Sequence, residues 1–273
     1  MKIIVLGSTG MLGHKMVERL RLHYLGVQGI SRQDGLDATD LDGVKRILES
    51  HRPQIVINCV GLIKQRTQDW EQSTAINALL PHFLQRTCWQ MGANLIHFST
   101  DCVFSGKRGW YTEVDSADPE DVYGKTKYLG EVSAENALTL RTSIVGRERS
   151  NYIGLLEWFL RQTGRIHGFE NAIYTGVTTN WLSDTVASLL KRGGLPSGLY
   201  QVAAAPISKF RLLKLFQEIY EKKNIQITPV AEPFCDRSLC GDRFVRDTWI
   251  MTPSLDKLIV EMHEQDKRGN YVL

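Results

Sequence analysis

Lys2-Ile3-Ile4-Val5-Leu6-Gly7-Ser8-Thr9-Gly10-Met11-Leu12-Gly13 is the stretch whose reading decides the fold. Its first half is short, apolar and rich in β-branched residues, as a strand buried in a parallel sheet requires. Its second half follows G-x-x-G-x-x-G. Met11, Leu12, Met16, Val17 and Leu20 then recur at helical spacing. In a strand–turn–helix context these glycines carry chemistry. They allow a tight turn, bring the backbone close to a pyrophosphate and let helix and strand pack closely. The free N–H groups of the helix start meet the phosphate charge. A glycine-rich turn with no ligand is the alternative, and the position directly after a clean strand favours the dinucleotide reading.

Working outward, Val27 to Ile30 reads as a second strand, with Ser31-Arg32-Gln33-Asp34 at its end. An adenosine ribose is read there. An acid accepts from the ribose hydroxyls, whereas an arginine pairs with a 2′-phosphate. Arg32 stands nearer the strand than Asp34, which favours NADP(H) and leaves NAD(H) as the second choice. A solvated loop charge is the other reading of Arg32. Asp37 starts a turn and helix cap before Leu41 to Ser50 and can reach the adenine edge. Ile55 to Asn58 is a third strand, and Cys59-Val60-Gly61 follow it at the ligand-binding edge. Lys64 and Arg66 lie just beyond, and each is either a partner for a substrate phosphate or a solvated charge. Trp70 to Met91 is helical and carries Asn77, with Pro81 set to kink or split it.

Asn94 to Phe98 is the next strand and delivers Ser99-Thr100-Asp101 at its end. A helix from Val122 to Asn136 carries Tyr123 and Lys127, which a four-residue spacing puts on one face. A lysine ammonium beside a phenol favours the phenolate, so Lys127 is expected to lower the pKa of Tyr123. Such a pair is an acid–base device near neutral pH. Taken alone, it is equally a packing tyrosine and a surface lysine. Leu138 to Arg141 is a further strand. The alternation to this point predicts an α/β fold, a doubly wound parallel Rossmann sheet. After residue 147 the rhythm changes, predicting a smaller C-terminal lobe over 148–273, partly interleaved with the first domain (1–147). Residues 224 to 273 show little regular periodicity.

Composition narrows the function classes. A net charge of +3, with basic residues scattered along 273 residues, does not point to nucleic acid or an anionic membrane. No apolar stretch approaches the roughly 18 residues of a membrane span. Five dispersed cysteines suit a reduced, cytoplasmic protein, and the Cys235/Cys240 pair lacks the partners of a metal site.

The combination of motifs resembles the extended short-chain dehydrogenase/reductase family. Within it, Phe98-Ser99-Thr100-Asp101-Cys102-Val103-Phe104-Ser105-Gly106, Tyr111-Thr112-Glu113, Tyr123-Gly124-Lys125-Thr126-Lys127, Leu129-Gly130-Glu131 and Leu140-Arg141-Thr142-Ser143 are similar to the dTDP-4-dehydrorhamnose reductase branch. The resemblance implies a reductase that passes hydride from a nicotinamide to the C4 keto carbon of a nucleotide-activated 4-keto-6-deoxy sugar, in surface polysaccharide synthesis. It implies Tyr123 as the acid, Lys127 as its pKa-setting partner and Thr100 as the third catalytic member. Cofactor contacts are implied at Gly7, Thr9, Gly10, Met11, Leu12 and Gly13, then at Ser31, Arg32 and Asp37. Further ones are implied at Cys59, Val60, Gly61, Asn77 and Ser99, with Tyr123 and Lys127. Substrate contacts are implied at Lys64, Asp101, Val103 and Phe104, with Arg237 toward the diphosphate. A homodimer is compatible with the branch. The magnesium that some members hold at a dimer contact finds no identifiable ligands here.

Two departures bear on the substrate. Cys102 stands where the branch commonly has tyrosine, and Leu62-Ile63-Lys64-Gln65 replaces its usual polar-aromatic segment. Two other readings remain open: a regulatory subunit that binds a partner enzyme, as some relatives of the branch do, and an epimerase or dehydratase of the same fold.

Overall fold

A computed structural model describes residues 1–66, 69–150 and 152–268. The chain runs β1 (Lys2–Leu6), α1 (Met11–Arg21), β2 (Gly26–Ile30), α2 (Leu41–His51), β3 (Ile55–Asn58), α3 (Trp70–Thr74), α4 (Leu80–Gln90), β4 (Asn94–Ser99), α5 (Val122–Leu129) and β5 (Ala137–Arg141). It continues with β6 (Ile144–Val145), α6 (Leu155–Arg161), β7 (Gly164–Phe169), β8 (Ala172–Tyr174), β9 (Val177–Thr178), α7 (Thr179–Lys191) and β10 (Gly198–Gln201). The last elements are β11 (Ile207–Ser208), α8 (Lys209–Ile219), β12 (Ile225–Val230), β13 (Cys235–Asp236), α9 (Asp242–Thr248) and α10 (Leu255–Arg268).

Six strands form one parallel sheet in the order β10-β5-β4-β3-β1-β2. Successive side chains of each strand point to opposite faces, so each strand feeds two cores. In β1, Ile3 and Val5 join one apolar cluster with α1, α7 and the second lobe, while Ile4 and Leu6 join the other with α2 and α4. That two-sided burial is why β1 reads as a continuous apolar run. The chain reverses its direction of winding between β1 and β3, and this opens a crevice at their carboxyl ends.

The expected lobes interleave more deeply than a division at residue 147 suggests. β10 pairs with β5 in the central sheet, and α7 lies on α1, where Arg19 grips Asp184 through Nε at 2.7 Å and Nη2 at 2.8 Å. The second lobe proper is built from the small sheets β11-β8-β13 and β12-β7 with α6, α8 and α10.

Three expectations need correction. The helix of Tyr123 stops at Leu129, not Asn136, and its C-cap Gly130 packs against the Asn77 carbonyl, where a side chain would not fit. The segment from Trp70 to Met91 is helical but passes through a wide π-turn at Ala75–Leu79, and Pro81 sits in the first turn of α4, where its missing N–H costs least. The C-terminal segment is not irregular: α10 buries Leu255, Leu258, Ile259 and Met262 at helical spacing. Among the described residues, no helix is long and apolar enough to cross a membrane.

Candidate active site

The glycine turn folds as its sequence requires. Gly7 has φ +77°, a left-handed conformation that favours glycine, and its N–H bonds Ile30 O at 2.8 Å. A Cβ on Gly7 would press on the Cys59–Val60 peptide at 3.0 Å, and one on Gly13 would run into the Gly7 carbonyl. The turn, α1 and the end of β3 can only meet this closely without those side chains. Gly10 caps α1 without a side-chain bond, and no acid stands in the first helical turn. Backbone N–H groups at the N-terminus of an eleven-residue helix are thus left to an anion, as a dinucleotide pyrophosphate requires.

The residues after β2 are partly committed elsewhere. Ser31 donates its hydroxyl to Asp34 at 2.8 Å and accepts from Gln33 N at 3.2 Å, closing a capping box. The Ser31 hydroxyl is therefore engaged in a local cap. Arg32 is exposed at the end of β2, as a 2′-phosphate partner would be. Asp37 is exposed and holds Thr39 through its N–H at 2.9 Å and its hydroxyl at 2.7 Å, which keeps its carboxyl below the usual range.

β4 and α5 bring the catalytic candidates together. Thr100 leaves the end of β4, donates to Asp101 Oδ1 at 3.0 Å and accepts from Cys102 N at 3.1 Å. Its hydroxyl also acts on the Tyr123 phenol, favouring the phenolate. Gly124 makes that contact feasible: it packs against the Cys102 carbonyl, where a Cβ would collide. Asp121 starts α5 by accepting from Gly124 N at 2.8 Å. One turn after Tyr123, Lys127 is buried and donates from Nζ to the Phe98 carbonyl at 2.6 Å.

The electrostatics correct one expectation. Burial, rather than Lys127, dominates the Tyr123 phenol and pushes its pKa up, with Cys102 acting in the same direction and the Thr100 hydroxyl against it. A phenol that holds its proton is suited to donate it. Burial also pushes Lys127 down to about 8, opposed by Glu131 and Cys59.

Further expected contact residues have partners within the protein. Val103 and Phe104 are fully buried in a small core, with Phe104 stacked on Tyr111 at 4.0 Å between centroids and Arg141 over its ring. Their side chains hold the turn and have no face for substrate. Lys64, exposed, pairs with Asp121 at 2.7 Å and so ties the loop after β3 to the start of α5. The Asn77 amide accepts from Leu62 N at 2.8 Å and donates to Leu62 O at 3.1 Å and Thr126 Oγ1 at 3.3 Å. It fixes that loop over α5 and has no donor left for a cofactor. Ser99 donates its hydroxyl to Glu131 at 2.6 Å.

Glu131 was not singled out from the sequence as a site residue. It also receives Arg141 Nε at 2.8 Å and Nη2 at 2.7 Å, and so braces the ends of β4, β5 and α5 together. Its signals were its place in the Leu129-Gly130-Glu131 motif, four residues after Lys127, and an arginine at a strand end. From the second lobe, Arg237 reaches the catalytic turn with Nη1 3.5 Å from Cys102 Sγ. No cluster of residues fit to hold a metal ion occurs among the described residues.

A Rossmann sheet with Thr100, Tyr123 and Lys127 gathered at its carboxyl edge defines an extended short-chain dehydrogenase/reductase. More narrowly, the chain belongs to the RmlD substrate binding domain family, whose model matches residues 1–236. Among curated relatives it is 26% identical over 214 residues to the spore coat polysaccharide biosynthesis protein SpsK of Bacillus subtilis, covering 76% of this chain and 74% of that protein. It is 33% identical over 159 residues to the dTDP-4-keto-6-deoxy-D-glucose reductase of Streptomyces niveus, a match that spans only 55% of either chain. Among solved structures, the dTDP-4-dehydrorhamnose reductase of Bacillus anthracis in complex with NADP shares the fold, with TM-score 0.85, 22% identity and coverage of 97% of this chain and 100% of that one.

Proposed function

We propose that the protein is an NADP(H)-dependent reductase of a nucleotide-diphosphate 4-keto-6-deoxy sugar, acting in deoxysugar and polysaccharide biosynthesis. The observation that carries this reading is the gathering of Thr100, Tyr123 and the buried Lys127 at the sheet edge next to an uncapped glycine turn. The activities of the relatives and the NADP complex of the structural neighbour support it. NAD(H) is the second choice, as in a fold neighbour from Bordetella bronchiseptica solved with NAD.

In this reading the first-turn N–H groups of α1 and the closely packed Gly7 and Gly13 hold the pyrophosphate, and Arg32 takes the 2′-phosphate. The bound nicotinamide supplies the hydride for C4 of the sugar. Tyr123 and Thr100 bind the reacting oxygen, and Tyr123 gives its proton as that oxygen becomes an alkoxide. The Lys127 ammonium stabilises the negative charge left on the phenol. Asp101 and Arg237 line the sugar-nucleotide side. Residues 1–147 with 179–202 serve the cofactor, and the remaining second lobe holds the nucleotide sugar. A reducing compartment such as the cytoplasm suits five cysteines that are all free.

The test is cofactor oxidation by purified protein with NADPH and dTDP-, UDP- and GDP-linked 4-keto-6-deoxy sugars. Consumption of NADPH with at least one of them is expected. None with any would overturn the reading.

A further inference from the structure

Opposite Thr100 and Tyr123, the second lobe presents a wall of polar side chains to the catalytic turn. Its small sheet assembles that wall. β11 runs antiparallel to β8, with Ile207 opposite Tyr174, and β13 runs parallel to β8, with Cys235 opposite Ala172. Lys209, the first residue of α8, therefore emerges beside Tyr174, and its Nζ rests 3.8 Å from the centroid of that ring. Arg237, just past β13, reaches Cys102 from the other side.

These groups are poorly satisfied for their burial. Arg237 Nε and the Tyr174 hydroxyl are buried with no hydrogen-bond partner among the described residues. No carboxylate there lies within ion-pair distance of Lys209. Burial pushes its ammonium down to about 8, while Asp101, Cys102 and Cys235 act to keep it charged. The Asp101 carboxylate is turned to Thr100, whose hydroxyl it accepts at 3.0 Å. A desolvated ammonium held over an aromatic face is costly in the absence of an acceptor, and the Arg237 guanidinium, which shares Asp101, Cys102 and Cys235 with it as neighbours, keeps an idle N–H.

We propose that Lys209 and Arg237 together form the receptor for an anionic oxygen of the substrate, across the cleft from Thr100 and Tyr123. The inference rests on the nucleotide-sugar reading and gives it a residue, Lys209, that no sequence motif had marked. Arg237 offers a fork and Lys209 a point charge with three donors, so the pair suits an oxyanion with several acceptor positions. Two parts of a nucleotide sugar can present one: the diphosphate and an acidic substituent of the hexose.

Calorimetric titration of the NADP-loaded protein tests this, with dTDP, UDP and GDP and with the corresponding sugar conjugates. Lys209→Gln is expected to weaken binding by about 10- to 100-fold, the loss of one charge-assisted hydrogen bond. Lys209→Arg should restore most of it. NADP affinity should stay at the wild-type value in both variants, which also reports that they are folded. Weaker binding of the free nucleoside diphosphates would place the oxyanion in the diphosphate. Weaker binding of the sugar conjugates alone would place it on the hexose. Wild-type affinity of Lys209→Gln for every ligand would overturn the inference while leaving the reductase reading intact. If the wild-type protein binds none of these ligands and reduces none of the sugars, the reading and the inference fall together.

Discussion

Lys127 Nζ lies 2.6 Å from the carbonyl oxygen of Phe98, so the lysine of the Tyr-x-x-x-Lys pair is anchored to the last turnable point of β4 before Thr100. The anchor sets where the ammonium can act. It lies one helical turn from Tyr123 and is buried, which makes its protonation sensitive to pH near neutrality.

The first prediction concerns that pH dependence. Lys127 is pushed down to about 8 in the folded protein, from about 10.4 in a free side chain. It is fully charged below that value and loses its proton as pH rises through it. The kcat at saturating substrate should therefore fall above about pH 8, as the ammonium that supports Tyr123 is neutralised. The same shift affects folding in the opposite sense: the burial penalty of the charged lysine is fully present below pH 8 and is relieved between about pH 8 and 10.4. A kcat profile that stays flat to pH 10 would contradict the role given to Lys127.

Tyr123→Phe removes the proton donor but keeps the ring. A loss of about 10²- to 10⁴-fold in kcat is expected, the usual worth of general acid catalysis. NADPH affinity, measured by fluorescence titration, should stay close to wild type. A variant with undiminished kcat would remove Tyr123 from the reaction.

Glu131 accepts from the Ser99 hydroxyl and from Nε and Nη2 of Arg141 in a buried setting. Glu131→Gln leaves the Arg141 guanidinium buried without its counter-charge, at an expected cost of about 3–5 kcal/mol in urea unfolding. Were Glu131 only a surface helix terminus, the change would be within experimental error.

Phe104 distinguishes core from site. Stacked on Tyr111 and closed off from the cleft, it should cost about 3–5 kcal/mol of stability as Phe104→Ala. The KM for the nucleotide sugar, measured below the variant's unfolding temperature, should change little. A large KM effect with stability unchanged would restore Phe104 as a substrate contact.

Much of this was legible in the sequence, for physical reasons that differ by residue. Ile3 to Leu6 declared a parallel strand because both of its faces are buried, and the glycines of the first turn declared close approach because each excludes a Cβ that would collide. Tyr123 and Lys127 were legible as one-turn neighbours. Their electrostatics were not: the phenol answers to burial and to Cys102, which depend on how α5 docks on the turn after β4. Val103 and Phe104 were misplaced because a motif marks a segment, not the direction of each side chain. The internal partners of Lys64 and Asn77 were not legible, because nothing in the linear order shows that Asp121 and Leu62 lie beside them. Lys209 was silent for the same reason. It becomes significant only once β11 and β8 pair and lay it over Tyr174.

The central claim is that Thr100, Tyr123 and Lys127 reduce the keto group of a nucleotide-activated 4-keto-6-deoxy sugar with NADPH. The most direct measurement follows NADPH absorbance with wild-type protein and Tyr123→Phe over the panel of dTDP-, UDP- and GDP-linked 4-keto-6-deoxy sugars. The account predicts turnover by the wild type of at least one sugar, with stoichiometric loss of NADPH, and near-abolition in Tyr123→Phe. No NADPH consumption by the wild type with any sugar, or equal rates in the two proteins, would contradict it.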